Sequence, residues 1–299
     1  MQYIRDILAA KRQTKRPVIS LEFFPPKTDE GEKNLLKKAI PALLEIEPDY
    51  CSVTYGAGGS TREKTLMIVD QIQRDHKLTA MAHLTCVSAT REQTQEAIAQ
   101  IKSLGIRNIL ALRGDPPAGS AEFTKPEGGF GYASELVHFI RELNGFCVGV
   151  AGFPEGHVAC AGGRHADWQH LKEKIEQGAD FVLTQLFFDN TNFFEFWEHM
   201  TKKLNVAIPI CPGIVPIQSG AQIKRFTTMC GARLPAGLLS RLEELGDDDA
   251  AVTEFGIEYA TRQCEELLRA GVPGIHFYTL NKAYSTVRIV RNLGLAPGA

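Results

Sequence analysis

The segment VISLEFF (Val18–Phe24) has the β-branched and aromatic make-up of a buried strand, and Pro25-Pro26 stops it. It nonetheless carries a glutamate, Glu22, between Leu21 and Phe23-Phe24. Desolvation disfavours an ionised carboxylate in such company, so the group either takes up a proton or finds a charged partner. A carboxyl that keeps its proton is a candidate general acid, whereas a Glu22 paired with Arg113 is a structural rim ion pair; the residues alone leave both open. LRGDPP (112–117) puts a second carboxylate, Asp115, directly after a glycine, with two prolines stiffening the chain beyond it. That fixes a charge in space, as a site requires. Gln185, in LTQLFFD, is unusual for a strand, because a buried amide needs several partners and a polar ligand can supply them. His83, in MAHLTC, reads first as a core histidine; no second histidine stands at ligand spacing and no H-E-x-x-H occurs, so no metal is expected. YGAGGS (55–60) reads first as a glycine turn feeding a helix rather than as a phosphate cradle.

What these residues share is place. Eight β-rich runs, 18–24, 50–54, 79–84, 108–112, 147–153, 181–185, 208–214 and 274–278, alternate with amphipathic segments of helix length. The helical segments fall near 30–46, 61–75, 90–104, 133–144, 165–177, 190–204, 217–229 with 235–270, and 282–293. Ser60–Glu63 and Thr90–Gln93 have the form of capping boxes, and Gly105, Gly178 and Gly271 are placed to end helices. The run Asp247-Asp248-Asp249 suits a solvated helix start. Eight strand–helix units in 299 residues predict an α/β fold, an eight-stranded parallel β/α (TIM) barrel. It has an N-terminal helix carrying Ile4, Ile7 and Leu8, extra helices before the last strand, and one domain over 1–299. An open doubly wound sheet would call for a G-x-G-x-x-G after the first strand, and none is there. In such barrels the working face lies where strands end. Those ends present Glu22, Thr54-Tyr55-Gly56, His83, Arg113-Gly114-Asp115, Phe153 with His157, Gln185, Pro212-Gly213, and Tyr278 with Asn281-Lys282. A purely structural barrel has no need to gather so many polar groups at one rim. The aromatic residues Phe187, Phe188, Phe193, Phe194, Phe196 and Trp197 read as helix-to-barrel packing, and Phe226 as helical core.

Composition narrows the function class. The chain is 44% hydrophobic and 23% charged, with net charge −2, which gives no basic footprint for nucleic acid or an anionic membrane. Seven cysteines, an odd number with no C-x-x-C pair, fit neither a disulfide framework nor a zinc knuckle and point to a reducing compartment. No membrane span or signal peptide is read, so a cytoplasmic protein is expected.

Taken together, SLEFFPPKT, SVTYGAGGSTRE, AHLTC, ALRGDPP, TQLFFD and HFYTLNKA resemble the methylenetetrahydrofolate reductase family, in that family's order and over about residues 18–294. The resemblance implies a barrel that holds FAD and reduces methylenetetrahydrofolate to methyltetrahydrofolate, with NADH or NADPH as electron source, the nicotinamide and the folate using the flavin by turns. By motif it makes Glu22 the general acid and Asp115 the carboxylate beside flavin and pterin. It gives Gln185, Gln222 and Lys282 to the folate, Thr54 to the nicotinamide region and Phe226 to ligand stacking. For FAD the matching positions are Tyr55, Ala57, His83, Arg113, Gly114, Asp115, Tyr132, Ala133, Phe153, His157, Asp167 and Lys174. Phe153 stands where a tyrosine is common, Glu173 where a basic residue can occur, and GHVACAGGRHAD (156–167) departs from the family pattern with an insertion. The chain ends after the barrel, so inhibition by S-adenosylmethionine is not expected, and a homo-oligomer is.

The chemistry fits the residue types. Opening the substrate's five-membered ring needs a proton on the departing nitrogen and leaves a cationic iminium. An acid poised near neutrality suits the first need, and Glu22 among Leu21, Phe23 and Phe24 is expected to have a raised pKa. An ionised Asp115 would favour the cation. A flavin-free barrel lyase or pterin-binding methyltransferase would use the same rim, and a non-catalytic folate-binding subunit would keep the fold alone.

Overall fold

The β-branched runs become eight strands: β1 (Val18–Phe23), β2 (Tyr50–Val53), β3 (Thr79–Thr85), β4 (Asn108–Leu112), β5 (Cys147–Gly152), β6 (Phe181–Leu186), β7 (Ile210–Ile214) and β8 (Gly274–Tyr278). They pair in sequence order, all parallel, and β8 returns to β1 to close a barrel. The predicted β/α barrel is the observed fold. The computed structural model describes residues 1–55, 62–115 and 123–298, and leaves out the side chains of residues 225, 226, 228 and 229. Gly56, Ala57, the Ser60 cap and Pro116-Pro117 thus lie outside the described residues, as does the side chain of Phe226.

The helices are α1 (Ile4–Thr14), α2 (Asp29–Asn34), α3 (Ile40–Leu44), α4 (Arg62–His76), α5 (Arg91–Ser103), α6 (Ala133–Glu142), α7 (Gly163–Glu176), α8 (Asn190–Glu198), α9 (Gly220–Cys230), α10 (Ala236–Leu245), α11 (Asp249–Arg269) and α12 (Tyr284–Asn292). A π-helical turn over Leu35–Ala39 interrupts the helix expected at 30–46, and another over His199–Lys203 follows α8. Thr90 and Gln93 form the expected reciprocal cap on α5. The extra helices expected before the last strand are α10 and α11, and the acidic run Asp247–Asp249 starts the second of them. Gly246 adopts a left-handed φ of 57° after α10, and the Asp248 carboxylate accepts the N–H groups of Ala250 and Ala251 to start α11. None of the described helices is long and apolar enough to cross a membrane.

Two layers of core follow from strand alternation. Outward residues such as Leu21, Val53, Ala82, Ile109, Val148, Val182, Ile214 and Phe277 pack under the helices. Inward residues Val18, Tyr50, Met81, Leu110, Cys147, Phe181, Leu183 and Cys211 meet Ile4, Ile7 and Leu8 of α1, which plugs the barrel from below. Helix α1 is pinned there by polar bonds. Asn108 Oδ1 accepts the Ile4 N–H at 2.9 Å, and Lys11 pairs with Asp49 at 2.7 Å. A third apolar group, with Phe188, Val215, Ile217, Ile223, Leu238, Leu242 and Val252, seats α9–α11 beside the ends of β6 and β7.

Candidate active site

Above its apolar floor the barrel interior turns polar. Glu22, on β1, faces inward between Ser52 of β2 and Tyr278 of β8, its partners in register. One carboxylate oxygen, Oε2, gathers three groups. It accepts the Ser52 hydroxyl at 3.3 Å and lies 3.3 Å from Nε2 of His276 and 3.4 Å from Nε2 of His83. Glu22 and His83 are each 5% exposed and His276 is 0% exposed, so this contact is screened from water. Behind His276, its Nδ1 meets the Ser20 hydroxyl at 2.9 Å, and that hydroxyl donates to the Ile275 carbonyl at 3.4 Å. The Ser20 contact fixes the orientation of the His276 ring, with Nε2 turned toward Glu22 Oε2.

The predicted raised pKa of Glu22 does not hold. Burial alone would push the carboxyl up, but the charge of His83 and the hydrogen bonds and charge of the two imidazoles outweigh it and bring it down to about 2. The expectation considered only the flanking residues Leu21, Phe23 and Phe24, and the histidines arrive from two other strands. Arg113 is not the ion partner either; its guanidinium lies over the Phe123 ring at 5.3 Å. Nor is His83 an ordinary core histidine, since its buried Nε2 lies 3.4 Å from the Glu22 carboxylate.

A second cluster forms where β4 and β5 end. Arg113, Asp115, His157, Asp167 and Lys174 feel one another electrostatically. Burial, and then Arg113, hold His157 below the usual imidazole range, while Asp167 and Asp115 oppose. Its Nδ1 accepts the Ala159 N–H at 3.0 Å, which leaves Nε2 to donate, and its ring stands edge-on to Phe153 at 4.7 Å. Burial pushes Asp167 up. Burial also lowers Lys174 to about 8 against the pull of Asp167, and its ammonium donates to the Ala151 carbonyl at 2.7 Å. Gly114 turns the chain at φ 87°, and a Cβ there would fall 2.9 Å from Val87 Cγ1. Glycine is therefore required between Arg113 and the exposed Asp115.

The remaining predicted positions are arranged around these clusters. Thr54 and Tyr55 follow β2 and are half-buried, and the Tyr55 hydroxyl accepts from Arg62 Nε at 2.6 Å. Tyr132 is exposed and Ala133 buried at the start of α6. Gln185 ends β6, Gln222 lies in the first turn of α9, and Lys282 is exposed beyond β8. Three site residues were not singled out from sequence: His276, Ser20 and Ser52. The signal existed, because alternation in GIHFY puts His276 on the same face as Tyr278 and, in a closed barrel, that face is the lumen.

These residues fit a flavin nucleotide. The rim offers a buried hydroxyl short of a partner, Thr85 Oγ1, and a buried ammonium, Lys174, whose charge burial disfavours. Arg113, His157 and Lys174 together present donors of the kind a pyrophosphate takes.

The family model for methylenetetrahydrofolate reductase matches residues 5–294 of the chain. Methylenetetrahydrofolate reductase (NADH) 1 of Arabidopsis thaliana is 39% identical over 300 residues, covering 97% of this chain and 50% of that protein. The 5,10-methylenetetrahydrofolate reductase of Escherichia coli is 38% identical over 280 residues, covering 94% of this chain and 92% of that protein. The chain thus spans about half the length of the plant relatives it matches. Among solved structures, an uncharacterized Clostridium thermocellum protein that binds two copies of 5-methyl-5,6,7,8-tetrahydrofolic acid superposes with a TM-score of 0.62 at 17% identity, covering 96% of this chain and 97% of that one. That likeness speaks for the fold. The sequence matches run through the strands that carry Glu22, His83, Asp115, Gln185 and His276, and they establish that this chain belongs to the methylenetetrahydrofolate reductase family.

Proposed function

We propose that the chain is a single-domain flavin- and folate-binding barrel that reduces 5,10-methylenetetrahydrofolate to 5-methyltetrahydrofolate. The observation that carries this reading is the buried Glu22 carboxylate within 3.4 Å of two imidazoles at the strand-end rim. The chemistry supplied by a bound FAD is hydride transfer in two alternating half-reactions, from NADH or NADPH and then to the folate. Tyr55, Ala57, His83, Arg113, Gly114, Asp115, Tyr132, Ala133, Phe153, His157, Asp167 and Lys174 would hold it, the last with Arg113 and His157 at its phosphates.

The chain's own residues then manage a proton and a charge. With Glu22 at about 2, the resting carboxyl is the anion and must be handed a proton before it can act as an acid. Transfer from His276 Nε2 to Glu22 Oε2 across 3.3 Å delivers it to the rim, where Glu22 protonates the departing nitrogen of the folate ring. Ser20, 2.9 Å from Nδ1 of His276, holds the ring in place for that transfer. Asp115, exposed and beyond another strand end, is the carboxylate that would favour the iminium. Gln185, Gln222, Phe226 and Lys282 would orient the folate, and Thr54 lies where the nicotinamide would approach.

Two measurements test the reading. The purified protein should be yellow, or become so with FAD, and bleach anaerobically with NADH or NADPH. A folded preparation that stays colourless in excess FAD overturns it in favour of a flavin-free barrel enzyme or a folate-binding subunit. Stopped-flow traces of a Glu22→Gln variant should show normal reduction by the nicotinamide and a folate half-reaction slowed by about 10²–10⁴-fold.

A further inference from the structure

Strand β6 carries one residue more than the strand beside it. Leu183 pairs with Cys211 and Leu186 with Gly213, so Thr184 and Gln185 together stand opposite Pro212. The sequence supplies the cause, since Pro212 has no N–H to give the ladder, and prolines within sheets sit at such bulges. A bulge frees backbone groups that need new partners inside a protein. Here side chains provide them. The Gly213 N–H donates to Thr184 Oγ1 at 2.9 Å, and the Tyr278 hydroxyl donates to the Thr184 carbonyl at 2.7 Å.

Tyr278 belongs to β8 and reaches past β7 to make that bond. Gly213 lets it through, because a Cβ at 213 would lie 2.2 Å from the Thr184 oxygen and 2.6 Å from the tyrosine ring. The next residue after Thr184 is Gln185, whose Oε1 accepts the Leu186 N–H at 2.9 Å. That bond orients the amide, and among the described residues nothing accepts from its NH₂ group, which is the end left for a ligand.

We propose that Thr184, Gly213 and Tyr278 are positioning residues for Gln185: they lock the β6 bulge so that the amide NH₂ is presented to an acceptor-bearing heterocycle edge, such as that of a pterin. The inference rests on the reading that Gln185 contacts the folate. It differs from the role of the Glu22–His276 pair, which moves a proton. A strut for Gln185 should act on substrate affinity, not on the proton step.

The test uses the full chain loaded with FAD. Tyr278→Phe keeps the ring and removes one donor, and Thr184→Val keeps the shape and removes one acceptor. Each should raise KM for methylenetetrahydrofolate, and Kd for 5-methyltetrahydrofolate by titration, roughly tenfold while kcat holds, as loss of one net hydrogen bond implies. Reduction by the nicotinamide should stay within about twofold of wild type. In a double-mutant cycle, Tyr278→Phe should add nothing once Gln185→Ala is present. Additive losses, an unchanged folate Kd in Tyr278→Phe, or a fall in kcat at constant KM would overturn the strut while leaving the proposed reaction standing. A wild-type protein that binds no tetrahydrofolate overturns both. If Thr184→Val does not fold, Tyr278→Phe and the cycle decide alone.

Discussion

The floor and the rim of this barrel are lined by the same strands under the same alternation, yet they do opposite things with it. At the floor, inward positions hold Val18, Tyr50, Met81, Leu110, Cys147 and Phe181 against Ile4, Ile7 and Leu8 of α1. One or two inward positions further along, β1, β2, β3 and β8 present Glu22, Ser52, His83 and His276. The floor is redundant: many apolar contacts share the work, each buried aliphatic side chain contributing about 1.5–3 kcal/mol. At the rim, three groups converge on one oxygen, and removing any of them leaves a buried charge or donor unmet. The floor should therefore respond to mutation through stability and the rim through chemistry.

The largest expected effect separates the two regions. Glu22→Gln should slow the folate half-reaction by about 10²–10⁴-fold, with flavin uptake and nicotinamide oxidation intact. Equal losses in both half-reactions, with a lowered melting temperature, would make Glu22 a floor-like structural residue after all. Leu8→Ala is the converse. It should cost about 2–5 kcal/mol of stability, read from a denaturant melt, and leave KM for both substrates unchanged. A Leu8→Ala enzyme of normal stability and altered KM would dissolve the distinction.

A pH titration sharpens it. Glu22's carboxyl titrates near 2 in the folded chain against an ordinary 4.5, so between these values the unfolded chain binds more protons. Its contribution, on the order of 3 kcal/mol, is present above pH 4.5 and is lost as pH falls toward 2. Wild type should lose stability across that window more steeply than Glu22→Gln, while Leu8→Ala should parallel wild type. Parallel curves for wild type and Glu22→Gln would mean that the imidazoles do not hold the carboxylate. A smaller effect is expected away from both regions. Thr90→Ala removes one side of the α5 cap and should cost about 0.5–2 kcal/mol with no catalytic change.

Most of the barrel could be read along the chain, because strand and helix periods are local. VISLEF, TAMAHLT and NILAL announce buried strands by their own composition, and Thr90–Gln93 announces a helix start within four residues. The start of α11 was also legible locally, in the acidic run Asp247–Asp249, where Asp248 caps the helix. The rim positions of Glu22, Asp115 and Gln185 followed from strand ends alone.

What sequence determined by itself, then, is which residues are strands, which ends they terminate in, and which family the motifs belong to. Only the tertiary structure decided the state of Glu22. Its neighbours in the chain are Leu21 and Phe23, which argue for a protonated acid. Its neighbours in space are His83, 61 residues later in the numbering, and His276, 254 residues later, which hold it as the anion. The same holds for the β6 bulge, where Pro212 marks the defect locally but Tyr278 closes it from 94 residues beyond Thr184. Hydrophobic pattern is a property of consecutive residues. Electrostatic state depends on distance through space, and barrel closure brings β1 beside β8, the two strands farthest apart in the chain.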